Sequence, residues 1–197
     1  MEVIELVAKV RDHFVEQFGA FVERQQSESK LGSPEVKLEL SEPSEYFERL
    51  YCVDFIKATL DEDEDAEDDE AEEPDGVVDF QPAFYLEFEP TTGTYGAMEV
   101  SIEQLRWDDV AIYHDLKSLP GEQIEEWFEF WFDPDDARYD PAARFAETIH
   151  SLLLEDGVAN IDFGTAPVAA FWDMLELLET AGAREVRITC APEEEGE

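Results

Sequence analysis

Basic residues are scarce in this sequence. Of its 197 residues only 13 are lysine or arginine, against 52 aspartates and glutamates, so the formal net charge is −39 at pH 7. A surface of this sign repels nucleic-acid phosphates and anionic lipid headgroups, because binding to either depends on lysine and arginine side chains that displace counter-ions. The composition argues against direct nucleic-acid binding and against membrane binding. It favours a cationic partner, which we predict to be a basic protein.

Cysteines and long apolar runs are also few. Cys52 and Cys190 are the only cysteines and lack a metal-binding spacing, so we expect two reduced thiols on buried strands. No segment approaches the ~18 uninterrupted apolar residues of a membrane helix. The first residues are acidic, whereas a signal peptide begins with basic ones. These features predict a cytoplasmic protein.

Motifs for nucleophilic catalysis and phosphate binding are absent. The sequence contains no Gly-x-Ser-x-Gly, Gly-Lys-Ser/Thr or Gly-x-Gly-x-x-Gly run. The nearest pattern, at residues 162–168, has a single glycine and is interpreted as a plain connection from a strand to a helix. With 52 acids, pairs of carboxylates arise by chance, so no general acid–base pair can be selected. The sequence supports no enzyme class, and we predict no cofactor.

The three histidines are interpreted as structural. His13 and His150 lie beside the apolar stripes of predicted helices, and His114 follows Tyr113 at the end of a predicted strand. Metal sites need several ligands at defined spacings, and no second spaced histidine and acid accompany His114. The carboxylates within residues 133–140 could hold a calcium ion but lack the EF-hand spacing, so a solvated turn with Asp140 as the cap of the next predicted helix is the preferred interpretation. No metal site is predicted.

The apolar pattern predicts an α+β fold. Helical spacing occurs in residues 3–24, 121–132, 140–157 and 166–181. Strand-like composition or alternation occurs in residues 36–40, 50–60, 77–80, 84–88, 98–102, 158–163 and 185–190. Two alternatives stay open, a helix beginning at Ser44 and a short helix capped by Ser101, and residues 90–96 are read as a turn. In chain order, the last three of these segments, 158–163, 166–181 and 185–190, are predicted to form a βαβ unit.

We expect one domain, residues 1–197, with a mixed or mainly antiparallel sheet and helices packed on one face. Twelve of the fifteen residues in 61–75 are acidic, which predicts a flexible loop, and 193–197 form an acidic tail. Because 36 of the 52 acids lie outside these two runs, the negative charge also belongs to the folded surface.

An aromatic cluster follows in the predicted helix 121–132. Trp127, Phe128, Phe130 and Trp131 lie within five residues, and Glu125, Glu126 and Glu129 surround them. One interpretation places all these rings in the core. The other makes part of the cluster the anchor of an interface with an acidic rim, which is how hot spots and charged rims are arranged in protein complexes.

The charge supports two functional hypotheses. The first is a non-catalytic interaction module, an inhibitor or immunity-type protein that binds a basic partner; inhibitors of nucleases resemble this chain in their charge. The alternative is a globular protein whose acidity is an adaptation to high salt, with an unidentified and possibly enzymatic function. Salt dependence distinguishes the two, because an adapted protein needs molar salt to fold whereas a complex with a basic partner weakens as salt rises.

Overall fold

The computed structural model describes residues 3–28, 32–41, 44–57 and 76–190, and these residues form three helices, nine strands and a short 3-10 turn. The helices are α1 (Val3–Glu28), α2 (Gly121–Phe132) and α3 (Val168–Thr180). The strands are β1 (Ser33–Glu39), β2 (Leu50–Ile56), β3 (Val77–Val78), β4 (Thr91–Tyr95), β5 (Met98–Ile102), β6 (Val110–His114), β7 (Ser151–Glu155), β8 (Val158–Asp162) and β9 (Glu185–Thr189).

The strands form two sheets. The smaller sheet has the order β1-β2-β3 and is antiparallel. The larger has the order β4-β5-β9-β6-β8-β7 and is mixed, since β5 and β9 run parallel while every other neighbouring pair is antiparallel. The predicted α+β class with mixed and antiparallel strands is therefore confirmed.

Helix α1 forms because its apolar residues recur every three or four positions and produce one buried stripe. Val7, Val10, Phe14, Phe18 and Phe21 are all buried on this stripe. They pack into a hydrophobic cluster that also contains residues of both sheets and of the other two helices. Burial of rings as large as Phe18, which is fully inaccessible, contributes about 1.5–3 kcal/mol each.

The C-terminal βαβ unit is confirmed, with one addition. Strands β8 and β9 both pair antiparallel to β6, which lies between them, so they run parallel to each other on either side of an inserted strand. Helix α3 connects them and contacts both α1 and α2. The unit thus places α3 beside α2.

The two sheets meet at the start of β7. The Cys52 N–H of β2 donates to the His150 carbonyl at 2.7 Å, and the His150 N–H donates to the Asp162 carbonyl at 2.8 Å. At the far end of β2, the Lys57 N–H donates to the Gly76 carbonyl at 2.9 Å. The predicted acidic loop 61–75 and the acidic tail 193–197 lie outside the described residues.

Several predicted elements are wrong. Residues 140–157 contain turns and β7 in place of a helix, because Leu152 and Leu154 pair with β8 across a hairpin whose turn ends in Gly157. The predicted turn at 90–96 includes strand β4, and residues 84–88 form no strand. Helix α1 continues to Glu28, four residues past the predicted end. No α-helix begins at Ser44, where the segment forms the 3-10 turn Phe47–Arg49 before β2, and Ser101 lies within β5.

Candidate functional site

Helix α2 has one buried face and one acidic face. Ile124, Trp127, Phe128, Trp131 and Phe132 are buried, whereas every glutamate of the helix is exposed: Glu122, Glu125, Glu126 and Glu129. The predicted spacing is therefore confirmed, and it divides the aromatic cluster. Phe130 alone among its rings faces solvent, with 54 % of its surface accessible.

The two tryptophans of α2 are packed against α3. The indole N–H of Trp127 donates to the Ala170 carbonyl at 3.1 Å, and that of Trp131 donates to the Asp173 carboxylate at 3.2 Å. Only 6 % of each tryptophan is accessible. These bonds satisfy the polar end of each ring, so the tryptophans hold the two helices together and present only an edge outward.

A groove of about 510 Å³ runs between α2 and α3. Its apolar part is formed by Trp127, Phe130, Trp131 and Leu177. Its acidic part is formed by Glu126, Asp173 and Glu176, each of which is exposed. The described residues that line this groove, which we call the α2–α3 groove, include no lysine or arginine.

One arginine of the chain already uses the aromatic rings beside the groove. The Arg138 guanidinium carbon lies 4.8 Å from the centre of the Phe130 ring and 5.4 Å from that of Trp131. Distances below about 6 Å allow a cation to be attracted by the negative face of a ring. The pair of rings is therefore suited to a guanidinium or ammonium group.

A second polar cluster surrounds His150 where the two sheets meet. The side chain of His150 is 1 % accessible, and its Nε2 lies 3.2 Å from Glu35 Oε1. On the other side of the ring, Nδ1 lies 3.1 Å from Asp54 Oδ1 and 3.9 Å from Asp162 Oδ2. We call these four residues the histidine cluster.

Each carboxylate of the cluster is fixed by groups outside it. Glu35 accepts hydrogen bonds from the Thr165 hydroxyl and from the Ala146 N–H. Asp54 Oδ2 accepts from the Phe80 N–H at 2.7 Å, and Asp162 Oδ1 accepts from the Gly164 N–H at 2.8 Å. The second oxygen of each aspartate is thereby directed toward His150.

The backbone is distorted at this point. Glu35 lies opposite Asp54, between the paired residues Pro34–Phe55 and Val36–Val53, and its φ of 51° falls in the left-handed region. A residue other than glycine pays about 1–3 kcal/mol for that conformation. Two acids directly opposite each other also repel, unless a cation lies between them. The imidazole of His150 occupies that place.

The charges of the cluster are strongly coupled. Burial alone lowers the pKa of His150, but the negative groups around the ring (Cys52 when ionised, Asp162, and the carboxylates of Asp54 and Glu35) raise it well above its usual value. Burial raises the pKa of Asp162 to about 7, and the charges of Asp54 and Asp108 act in the same direction. The carboxylates around the ring thus favour the protonated form of the imidazole.

Cys52 lies in the same region but is not activated. It is a free, buried thiol, and burial raises its pKa to about 12. A nucleophilic cysteine needs a lowered pKa and a neutral base, and the base available here has a carboxylate at each ring nitrogen. A Cys–His nucleophile is therefore not formed. Cys190 is also buried and free, as the sequence predicts.

A cavity of about 290 Å³ opens beside the histidine cluster. Asp54, Asp162, Asp79 and His150 line it, together with the stacked rings of Tyr46 and Tyr51. The side chains of Asp54 and Asp162 are 18 % and 28 % accessible, so the cavity reaches solvent past its carboxylates.

Sequence reasoning missed the histidine cluster. It placed His150 on a helix flank, whereas the residue directly precedes β7 and is buried. The four residues come from four separate segments, so no spacing connects them. The one sequence signal was the glycine at position 164, which was interpreted as an ordinary turn residue. In the structure its φ is 49°, and a Cβ there would overlap the His150 ring. That glycine is required by the close approach of the imidazole.

The other sequence candidates have local roles. The His13 ring contacts the Phe84 ring in a tilted arrangement with ring centres 4.7 Å apart, and His114 ends β6 as predicted. Within residues 133–140, the Asp133 carboxylate accepts the N–H groups of Ala137 and Arg138, which is turn geometry. In the described part of the chain, no group of three or more histidines, cysteines or acids is arranged to hold a metal ion.

Comparison with known proteins gives no relative: no family model, curated protein or solved structure matches the chain. Across residues 3–28, 32–41, 44–57 and 76–190, no helix has the length and apolar character required to cross a membrane. The function is therefore argued from the two sites described above.

Proposed function

We propose that this protein is a non-catalytic interaction module, of the inhibitor or immunity type, that binds a basic protein through the α2–α3 groove. The observation that carries the proposal is the composition of that groove, in which aromatic edges are bordered by Glu126, Asp173 and Glu176. Interfaces of high affinity combine a central apolar anchor with a polar rim, and this groove has both parts.

Charge selects the class of partner. The carboxylates of the groove belong to a chain with a net charge of −39, so the field around it draws cationic surfaces in and drives anionic ones away. The Arg138 guanidinium already lies over the rings of Phe130 and Trp131, which supports an arginine as the partner side chain that binds there. An arginine-rich segment satisfies the aromatic and the acidic parts of the groove together.

Phe130 is the residue we assign as the anchor. It is the exposed ring of the groove, whereas Trp127, Phe128 and Trp131 are buried, and the Trp131 ring contacts it with ring centres 4.8 Å apart. Of the predicted acids, Glu126 lines the groove, and Glu125 and Glu129 are exposed on other sides of the same helix. We expect the protein to act in the cytoplasm without direct contact with nucleic acid or membrane.

The experiment uses a short synthetic peptide of alternating arginine and leucine as the probe, titrated at ~50 mM KCl, where charge attraction is only partly screened. Phe130→Ala should weaken binding about fivefold while the unfolding temperature stays within error, because the ring is more than half exposed. The triple variant Glu126→Gln, Asp173→Asn, Glu176→Gln should weaken it more than tenfold.

A matched control separates the groove from the general charge. Glu5, Glu16 and Glu99 are exposed acids on α1 and β5, and their replacement by glutamine removes the same three charges. This control should weaken binding about twofold, since it changes only the long-range field. Equal losses in the two triple variants, or unchanged binding in Phe130→Ala, would show that the groove is not the docking site.

A further inference from the structure

The aromatic pair at the end of helix α2 is shared between the α2–α3 groove and an arginine of the same chain. Phe130 and Trp131 line the groove, and their rings are perpendicular, at 89°, with centres 4.8 Å apart. Arg138 lies in the turn that follows α2, outside the described residues that line the groove. Its guanidinium carbon is 4.8 Å from the first ring centre and 5.4 Å from the second. The rings that an incoming cation would contact are therefore already in contact with one.

The polar contacts of the Arg138 side chain are long. Its Nη2 donates to the Trp131 carbonyl at 3.5 Å, and its Nε lies 3.9 Å from Asp133 Oδ2, distances at which a hydrogen bond and an ion pair are weak. The buried Nε has no hydrogen-bond acceptor in the described part of the chain. Because this N–H group would regain a hydrogen bond in water, little energy is lost when the side chain leaves the rings.

A second stacked arginine shows how such a side chain is held more firmly. The Arg187 guanidinium carbon lies 4.2 Å from the centre of the Tyr113 ring, and its Nη1 donates to Glu103 at 3.2 Å. For Arg138 the corresponding distance to a carboxylate is 3.9 Å. Arg138 is thus held by the aromatic rings more than by its polar partners.

The turn that carries Arg138 is fixed without its side chain. The Asp133 carboxylate accepts the backbone N–H groups of Ala137 and Arg138, at 2.8 and 2.9 Å. The Asp136 N–H donates to the Asp133 carbonyl at 3.0 Å. These bonds use only the backbone of Arg138, whose side chain is 29 % accessible. The side chain can therefore move into solvent while the turn keeps its shape.

We propose that Arg138 occupies the arginine subsite of the groove in the unbound protein and that an arginine of the partner displaces it on binding. Such a displacement presupposes that the α2–α3 groove binds a basic protein, as proposed above. A second guanidinium beside the first would be repelled, since like charges at short range oppose each other. Arg138 and the partner arginine therefore exclude each other from the rings.

The exchange determines which partners bind well. One stacked guanidinium replaces another, so the attraction between cation and ring largely cancels, and only the apolar contact with the rings is gained. The remaining preference for the partner comes from the acids Glu126, Asp173 and Glu176. Arg138 thus selects against single cations and favours a segment that brings an arginine together with further positive charge.

The test uses the arginine–leucine peptide in the same ~50 mM KCl. Arg138→Gln should bind the peptide about threefold to fivefold more tightly, because removal of the stacked cation makes the rings available to the peptide. Arg187→Gln is the matched control, since it also removes one positive charge and one stacked guanidinium. It should change binding by less than about twofold, through the long-range field alone. In the Phe130→Ala background, Arg138→Gln should gain no more than this control.

A second measurement follows the displaced side chain directly by NMR. In the unbound protein, the ring currents of Phe130 and Trp131 shift the signal of the Arg138 Nε–H. Saturating peptide should move this signal to the position of a solvated arginine, while the Arg187 signal stays in place. The measurement needs no variant, so it decides the question even if Arg138→Gln does not fold.

The outcomes separate the displacement from the function on which it depends. If the parent protein binds the peptide but Arg138→Gln binds no more tightly, or if the Arg138 signal does not move, only the displacement is wrong. Arg138 would then hold the Phe130 ring in position. If neither the parent nor Arg138→Gln binds the peptide, the groove is not a docking site for basic segments, and the displacement is refuted with it.

Discussion

At the scale of single residues, His150 is the side chain on which most of the polar interior depends. It separates Glu35 from Asp54, two acids that face each other across a distorted strand pair. Removal of one partner from a buried charge cluster leaves the others uncompensated, at a cost of about 3–5 kcal/mol. The positive charge of the protonated His150 ring therefore stabilises the contact between the two sheets, because it offsets the charges of Glu35 and Asp54.

The pH dependence of stability follows from the two raised pKa values. His150 contributes stability that is fully present below its unfolded pKa of about 6.5 and is lost as pH rises toward its higher folded pKa. The folded Asp162 keeps its proton up to pH about 7, whereas the unfolded side chain loses it near pH 4, so this group lowers the stability of the fold as pH rises from about 4 to about 7. Both groups make the folded state less stable at alkaline pH.

We expect Asp162→Asn to reduce this pH dependence. Asparagine imitates the protonated acid and can still accept the Gly164 N–H. Between pH 5 and pH 8, the parent should lose about 1–2 kcal/mol more unfolding free energy than the variant, a value below the full shift because the side chain is 28 % accessible. Urea unfolding at both pH values measures the difference. A variant as pH-dependent as the parent would show that Asp162 titrates normally.

At the scale of elements, the sequence predicted best where one pattern extended over a whole segment. Helices α2 and α3 and strands β8 and β9 follow from continuous apolar spacing bounded by Gly121, Gly164 and Gly182. The helix predicted for 140–157 failed because Phe145, Ile149, Leu152 and Leu153 fit helical spacing by chance. The Asp156–Gly157 pair between two apolar runs is a hairpin signal and should have outweighed that spacing. Strand β4 was missed since its threonines and glycine resemble a turn.

Two glycines in tight turns offer a direct test of the element geometry. Gly157 and Gly164 both have positive φ, at 79° and 49°. A Cβ at Gly157 would meet only an ordinary contact with the His114 carbonyl, whereas at Gly164 it would overlap the His150 ring. We expect Gly157→Ala to cost about 1 kcal/mol of unfolding free energy, from backbone strain alone, and Gly164→Ala to cost about 3 kcal/mol.

The matched control for this pair is Gly121→Ala. Gly121 opens α2, its backbone is not in the left-handed region, and a Cβ there meets no atom within 4 Å. Alanine should be neutral or stabilising there by up to about 1 kcal/mol, because it lowers the entropy of the unfolded chain. Equal effects of Gly157→Ala and Gly164→Ala in thermal unfolding would contradict the close approach of His150.

At the scale of the whole molecule, the acidic residues and the hydrophobic core occupy largely separate regions. The buried residues form one apolar cluster that draws on both sheets and all three helices, while the acids lie mostly on the surface. The sequence was sufficient to predict this separation, because the periodicity of the apolar residues assigns them to the interior and leaves the acids on the surface. Composition could not predict the histidine cluster, because its members meet only after β1, β2, β7 and β8 are assembled.

Salt dependence tests the functional proposal against the alternative of salt adaptation. With a core of this size we expect cooperative unfolding already in dilute buffer. Raising KCl to ~0.5 M should increase the unfolding temperature by roughly 2–4 °C, through screening of the net charge. Circular dichroism melts measure the change. A chain that is unfolded in dilute buffer and folds only in molar KCl would favour salt adaptation and remove the main argument for a cationic partner.

The hydrogen bond between the Lys57 N–H and the Gly76 carbonyl has a consequence for how this chain can vary. It extends the ladder between β2 and β3 by one bond and joins Lys57 to Gly76, the two described residues that flank 58–75 in the sequence. Lys57 and Gly76 are thus held together by this bond, so the two strands place no requirement on the number of residues between them. Twelve of the 52 acids lie in residues 61–75, so this part of the negative charge can be shortened, lengthened or replaced by a reporter sequence without a change in the register of β2 and β3.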